Sequence, residues 1–248
     1  MPDPDRLRSL VGERHFRWRG GSVSRLEALA DAVFAISLTF LIVTLEVPKN
    51  IADIRSLFPQ IPVFLICFAL LVLLWFFHYQ FHRRFGLEDG WTVLWNMLFL
   101  FVVLIYIYPL RFLFTLLFEE MLGLGDSLRR ANAGGLIIDR RDWPMLMVFY
   151  SGGVTVVWLL LGLMNAHALR RAEALELDAV ERLQTRSAVV AHLLSAAVGV
   201  ASIGLALLGS VSASGMIYFA MGPMHAGYGM WIGSRVERLA RAQRAAGP

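Results

Sequence analysis

The chain of 248 residues is 57% hydrophobic and only 17% charged, with a net charge of +4. A soluble domain usually has about 25% charged residues, so the composition excludes an ordinary soluble domain, a disordered chain and a disulfide-stapled secreted module. The single cysteine, Cys67, lies inside an apolar run. Most of the 23 basic residues are arginines that flank apolar runs, a pattern that favours a multi-pass membrane protein over a nucleic-acid partner.

Six apolar runs are long enough to cross a bilayer, which takes about 20 residues in a helix. The predicted spans are residues 26–47, 61–81, 91–118, 143–164, 188–208 and 213–233. They divide the chain into an N-terminal tail over 1–24, an all-α six-helix domain over 25–234 and a C-terminal tail over 235–248.

Two connections are long enough to have structure of their own. Residues 165–187 are rich in good helix formers, so we predict that they continue the fourth helix beyond the membrane. The glycine-rich residues 119–142 are predicted to form an irregular loop on the opposite side. Arginines concentrate in both tails and in the second-to-third and fourth-to-fifth connections, which predicts that both termini are cytoplasmic.

The first span contains a carboxylate, Asp31, about five residues from its start. A charge at that depth costs on the order of 2.5–3.5 kcal/mol and marks a functional site by default. Glu27 lies one turn earlier on the same face and is expected to repel it. His78 and Asn96 on the next two spans lie at a similar depth, roughly 5–8 Å below the surface at 1.5 Å per residue, and Trp75 lies one turn from His78 with an indole N–H to offer.

These polar residues are predicted to form a network between three helices. Three roles stay open for it at the level of the sequence: fixing the helix packing, handling ions or protons, and binding a metal. The metal alternative rests on the i, i+4 spacing of His78 and His82, which is weak without a third ligand.

Beyond Asp31, Ile36, Phe40, Val43 and Val47 form one apolar stripe at helical spacing, with Thr39 beside it. Such a stripe is typical of a helix that faces lipid or its own bundle. It is also what a pore with a hydrophobic constriction requires, and the spacing alone does not decide between them.

Three short motifs, in order, resemble the transmembrane protein 175 family of potassium channels. The first, Arg25-x-x-x-Leu29-Ala30-Asp31, resembles the signature of the family's first helix, which has Phe-Ser where this chain has Leu-Ala. The other two are Leu74-Trp75-Phe76-Phe77-His78 and Leu94-Trp95-Asn96-Met97-Leu98-Phe99-Leu100.

The resemblance implies a homotetramer with a central pore lined by the first helix, in the inner membrane of a bacterium. Carried over by position, the pore and gate residues are Ile36 at the main constriction, Thr39, Phe40 and Val43. The residues of the packing network are Arg25, Asp31, Trp75, His78 and Asn96.

The function implied is a potassium-permeable cation channel whose partners are its own copies, membrane lipid and K⁺, with no cofactor and no metal. The alternative is a proton-coupled transporter or proton leak through Asp31 and His78. An intramembrane serine protease built on Ser151 and His225 is disfavoured, because Phe149 stands where a Gly-x-Ser motif needs glycine. We therefore predict that the protein is not an enzyme.

Overall fold

The computed structural model describes residue 13 and residues 15–43, 50–122 and 140–245. Across these residues the chain is helical, with short connections. The α-helices are α1 (Arg25–Val43), α2 (Ile51–Leu57), α3 (Ile61–Phe85), α4 (Gly90–Leu122), α5 (Trp143–Arg170), α6 (Ala179–Leu207), α7 (Val211–Met216) and α8 (Met221–Ala245). Short 3₁₀ turns at Phe58–Gln60, Arg140–Asp142 and Ile217–Ala220 lead into α3, α5 and α8.

Within the described residues, five helices are long and apolar enough to cross a membrane: α1, α3, α5, α6 and the Gly90–Ile107 part of α4. The residues predicted as a sixth span, 213–233, lie in most of α7, the 3₁₀ turn and the first half of α8. Gly215, Gly222 and Pro223 lie in this stretch, and all three disfavour a continuous α-helix. The count of six spans stays a prediction.

The helix that contains the third predicted span is longer than the predicted 91–118. α4 runs to Leu122 and contains Pro109, which lacks the N–H for an intrahelical hydrogen bond. Tyr150 on α5 donates its hydroxyl to the carbonyl oxygen of Pro109, so α5 braces the helix at this point. Residues 123–139 of the loop predicted at 119–142 lie outside the described residues.

Asp89 fixes the start of α4. Its carboxylate accepts hydrogen bonds from the N–H of Thr92 at 2.9 Å and from His167 at 2.7 Å, and it pairs with Arg171 at 3.0 Å. Removal from water raises the pKa of Asp89, but the hydrogen bonds of Thr92 and His167 outweigh that effect and lower the pKa to about 2. The carboxylate is thus an N-cap for α4 and a link to the end of α5.

The extension predicted at 165–187 is helical only at its two ends. α5 ends at Arg170, and a turn follows in which Glu176 has a φ of 48°. Asp178 then begins α6 with a reciprocal capping box, because its side chain accepts from the N–H of Glu181 at 2.8 Å and the Glu181 side chain accepts from the Asp178 N–H at 3.1 Å. The prediction of one continuous helix was wrong, since capping stabilises a new helix start here more than Ala and Leu propensity favours continuation.

α5 and α6 form the most extensive helix–helix contact, and α1 packs on α3 and α4 at the other side of the bundle. The main core combines side chains from α1, α3, α4, α5 and α6, among them Phe34, Leu71, Phe99 and Leu161. A second core lies at the end of the bundle that carries Arg83, Arg84, Arg170 and Arg171, which we call the arginine-rich end.

Candidate functional site: one face of α1 and its polar partners

The first helix has two faces with different environments. Ala30, Phe34, Ser37 and Leu41 are buried against α3 and α4, at spacings of one helical turn. The Ser37 hydroxyl is satisfied within the helix, because it donates to the carbonyl oxygen of Val33 at 2.8 Å. This face holds α1 against its own chain.

The opposite face carries the residues predicted to line a pore. Ile36 is 48% exposed, Phe40 38% and Val43 68%, and Thr39 is exposed beside them. Thr39 donates its hydroxyl to the carbonyl oxygen of Ala35 at 2.9 Å, which leaves mainly apolar surface on this face. Val47 lies outside the described residues. The structure thus brings the four described pore candidates onto one exposed face, and their role in a pore stays a prediction.

The start of α1 is fixed by a residue to which sequence reasoning gave only a repulsive effect. Glu27 is buried, and its carboxylate accepts from the N–H of Ser24 at 3.1 Å while the Ser24 hydroxyl accepts from the Glu27 N–H at 3.1 Å. Arg83 on α3 pairs with the same carboxylate at 3.2 Å. The spacing Ser24-x-x-Glu27 is a capping-box signal, which would have predicted this role.

Asp31 has a partner on another helix. The indole N–H of Trp75 on α3 donates to Asp31 Oδ1 at 2.8 Å, and Trp75 stacks on Tyr79 with ring centroids 5.4 Å apart. Asp31 lies at the surface of the single chain rather than in its core. This contact joins the exposed side of α1 to α3.

His78 and Asn96 form a separate pair deeper between α3 and α4. Both are buried, their side chains are hydrogen-bonded to each other, and the His78 ring stacks on Phe99 with an interplanar angle of 10°. Asn96 Nδ2 is buried with no hydrogen-bond partner among the described residues. The His82 and His78 Nε2 atoms are 3.2 Å apart.

The five predicted network residues therefore fall into two hydrogen-bonded pairs and one separate residue. Asp31 pairs with Trp75, and His78 pairs with Asn96. Arg25 is exposed at the first residue of α1, and none of the hydrogen bonds or ion pairs among the described residues joins it to either pair.

The described residues do not form the serine protease site or the metal site that the sequence left as alternatives. Ser151 is hydrogen-bonded to Ser202 at 2.8 Å, whereas His225 is bonded to Ser195 at 2.8 Å, so the proposed serine and histidine have different partners. In the part of the chain that the structure describes, no group of three or more His, Cys, Asp or Glu side chains is placed to hold a metal ion.

The stretch that carries this geometry also matches a known family. The family model for the endosomal/lysosomal potassium channel TMEM175 matches residues 25–106, which include α1, α2, α3 and the first half of α4. A potassium channel of Marivirga tractuosa is 30% identical over 231 residues, covering 91% of this chain and 94% of that protein. The chain belongs to the TMEM175 family.

Two further likenesses extend across the fold. The crystal structure of the potassium channel MtTMEM175, a variant in complex with a Nanobody-MBP fusion protein, has a TM-score of 0.76 and 30% identity, covering 89% of this chain and 97% of that chain. The structure of a lysosomal potassium-selective channel TMEM175 homolog from Chamaesiphon minutus has a TM-score of 0.54 at 20% identity, covering 86% of this chain and 96% of that chain. This second likeness is one of fold alone.

The resemblance seen in the three sequence motifs is confirmed. TMEM175 is a family of potassium channels in membranes and not a class of enzymes. The chain is accordingly an all-helical, multi-pass membrane protein of a potassium channel family.

Proposed function

We propose that the chain is one subunit of a homotetrameric, potassium-permeable channel with a hydrophobic constriction formed by α1. The observation that supports this proposal is the exposed apolar stripe of α1 opposite the face that packs on α3 and α4. Four copies arranged around an axis would bring four Ile36 side chains together, with Phe40 and Val43 one and two turns further along. The bacterial inner membrane, with both termini cytoplasmic, is the location that we propose for it.

The chemistry of the stripe fits a gate that works by excluding water. From Ala32 to Val43 the helix carries no charged side chain, and its two hydroxyls are bonded to its own backbone. A narrow ring of such side chains opposes hydration of an ion, so its width determines whether the pore conducts. In this proposal K⁺ is the permeant ion, and no cofactor or metal takes part.

The contacts of Asp31 and His78 support the channel over a proton pathway. Asp31 is hydrogen-bonded to Trp75, whereas His78 is bonded to Asn96 and lies close to His82. A proton relay needs a continuous chain of hydrogen-bonded, exchangeable groups. Asp31 and His78 are hydrogen-bonded to different side chains, and no hydrogen bond among the described residues joins one to the other.

The test is the substitution Ile36→Asn, measured as K⁺ efflux from proteoliposomes that contain the purified protein. Asparagine hydrates where isoleucine repels water, so we expect efflux to rise about tenfold, equivalent to a barrier lower by about 1.4 kcal/mol. Sodium gradients and empty vesicles serve as flux controls.

Ile42→Asn is the matched control variant. Ile42 is an exposed isoleucine on the same helix, but it lies six residues from Ile36 and so points away from the stripe. We expect its efflux to equal that of the unmodified protein. Equal efflux from both variants would contradict the placement of the constriction at Ile36, and an unmodified protein that discharges only proton gradients would favour the proton pathway.

A further inference from the structure

The segment before α1 is tightly packed against the arginine-rich end of the bundle. We call Glu13 and residues 15–23 the N-terminal strap. Phe16 of the strap is 1% exposed and meets Phe85 of α3 edge-on, with ring centroids 5.6 Å apart. Phe16 belongs to the second core described above, which also includes Met164 and Ala168 from α5. A tail that only carried positive charge into the cytoplasm would not need a buried aromatic anchor.

Two buried carboxylates, Glu13 in the strap and Glu181 on α6, attach the strap to the helix bundle. Glu13 accepts from the indole N–H of Trp18 at 2.6 Å and from Arg84 Nε at 2.9 Å. Glu181 on α6 is fully buried, and it accepts from the Arg17 N–H at 2.7 Å and from Arg19 Nη2 at 2.7 Å. The hydrogen bond with Glu181 raises the pKa of the Arg17 guanidinium above its ordinary value.

Arg83 joins the strap to the start of α1. Its carbonyl oxygen accepts from the N–H groups of Arg19 and Gly20, both at 3.1 Å. Its guanidinium donates to the carbonyl oxygen of Gly21 at 3.1 Å and pairs with Glu27 at 3.2 Å. One residue of α3 therefore holds both the last part of the strap and the capping box that begins α1.

The strap and the end of α3 meet backbone to backbone. A Cβ atom added at Gly20 would lie 2.7 Å from the carbonyl oxygen of His82, whereas one at Gly21 would meet nothing within 4 Å. Gly86 ends α3 with a φ of 58°, and its own Cβ position is 3.2 Å from the Arg19 backbone. Glycine at position 20 permits an approach that any side chain would prevent.

Aromatic rings make a second connection from the strap to α1. Trp18 meets Tyr79 edge-on with centroids 6.4 Å apart, and Tyr79 stacks on Trp75. Trp75 in turn donates to Asp31 on α1. The strap is thus linked to α1 by two routes through α3, one ending at the first turn of α1 and the other one turn later.

We propose that Glu181 and Arg83 are positioning residues of the pore, an inference that rests on the proposed function. They hold the strap, the strap holds the first turn of α1, and a rigid helix carries that position from Glu27 to Ile36, about 14 Å away. Release of the strap changes how often the pore is open, while the side chains that form the constriction stay the same.

The test compares Glu181→Gln with the unmodified protein. Glutamine keeps the capping box of α6 but loses the charge that binds Arg17 and Arg19. Glu173→Gln is the matched control, because Glu173 is exposed in the turn between α5 and α6. Hydrogen exchange of the amides at residues 25–31 is expected to become about tenfold faster in Glu181→Gln only.

Single-channel recording in planar bilayers measures how Glu181→Gln changes the opening of the pore. We expect the open probability of Glu181→Gln to change about threefold or more, at unchanged unitary conductance and unchanged preference for K⁺ over Na⁺. A defect in folding alone lowers the number of channels but not the open probability of each one.

Gly20→Ala, with Gly21→Ala as its control, tests the same inference without changing charge. Gly20→Ala is expected to shift hydrogen exchange and open probability in the same direction as Glu181→Gln. If neither Glu181→Gln nor Gly20→Ala changes exchange at residues 25–31, the inference is overturned. If the unmodified protein passes no K⁺ current, the proposed function fails, and the exchange data still decide whether the strap holds α1.

Discussion

At the scale of single residues, the chain separates two carboxylates that a helical wheel places on one face. Glu27 pairs with Arg83 and completes a capping box, whereas Asp31 binds the indole N–H of Trp75. Each charge has its own donor, so the expected repulsion between them is offset by contacts with α3. Glu27 is buried, so its carboxylate left without its partners would cost far more than the pair repulsion.

Trp75→Phe tests what the bond to Asp31 contributes. Phenylalanine keeps an aromatic ring against Tyr79 but has no N–H, so we expect the free energy of unfolding to fall by about 1.5–3 kcal/mol, the range for a hydrogen bond to a charged group. The measurement is thermal or denaturant unfolding of the purified protein in detergent.

Trp91→Phe is the control for this substitution, since Trp91 is exposed at the start of α4 and stacks on Trp95. An equal loss of stability in the two variants would mean that the ring, and not the N–H to Asp31, carries the effect of Trp75.

At the scale of helices, close contact between α4 and α5 depends on one glycine. A Cβ atom added at Gly153 would lie 2.1 Å from the Tyr106 ring, whereas one added at Gly152 would meet nothing within 4 Å. Tyr106 also donates its hydroxyl to the carbonyl oxygen of Phe149 at 2.9 Å, so its ring is not free to move away without losing that bond.

We therefore expect Gly153→Ala to destabilise the protein by about 1–3 kcal/mol, the usual cost of overpacking a core. Gly152→Ala should be neutral or stabilising by up to about 1 kcal/mol, because alanine is the better helix former. Unfolding in detergent measures both. Equal stability of the two variants would contradict the close packing of α4 on α5 at this level.

The lengths of the apolar runs predict where the helices lie, but they do not predict several of the residues at which the helices end. α1 begins at Arg25, one residue before the predicted span of 26–47, where the arginine-rich tail gives way to the apolar run. α4 continues past Pro109, where Tyr150 of α5 donates to the Pro109 carbonyl oxygen, and α5 ends at Arg170 before Asp178 and Glu181 cap the next helix. The Tyr150 contact joins residues that are distant in the chain, which periodicity does not reveal.

The candidate site shows the same division. Spacing predicted one stripe through Ile36, Phe40 and Val43, and these residues lie on one exposed face. Depth arithmetic placed Asp31, His78 and Asn96 at one level, with Trp75 one turn from His78, but it did not separate the four residues into two hydrogen-bonded pairs. The strap was missed, because its partner Glu181 is more than 160 residues away in the chain.

At the scale of the whole molecule, exposure of the α1 stripe has two physical explanations. Lipid covers apolar side chains without cost, and on α3 Leu65 at 61% and Phe68 at 40% are exposed to an extent similar to Ile36 at 48%. What distinguishes a pore helix is proximity to its own copies around an axis. The proposed tetramer therefore predicts which residues of neighbouring subunits approach one another.

Cysteine cross-linking tests this arrangement. Cys67 is the single cysteine and is buried, so Cys67→Ala gives a background in which one new cysteine can be placed. In that background we expect Ile36→Cys to form covalent dimers with a short bifunctional maleimide, because residues that line a narrow axis approach their copies closely.

Ile42→Cys, on another face of α1, is the control and should form no covalent dimers under the same conditions. Native mass spectrometry should find a non-covalent assembly of four copies for both variants. Equal cross-linking at the two positions would argue for random collision in the detergent micelle, and no cross-linking at Ile36 within an intact tetramer would place α1 away from the axis.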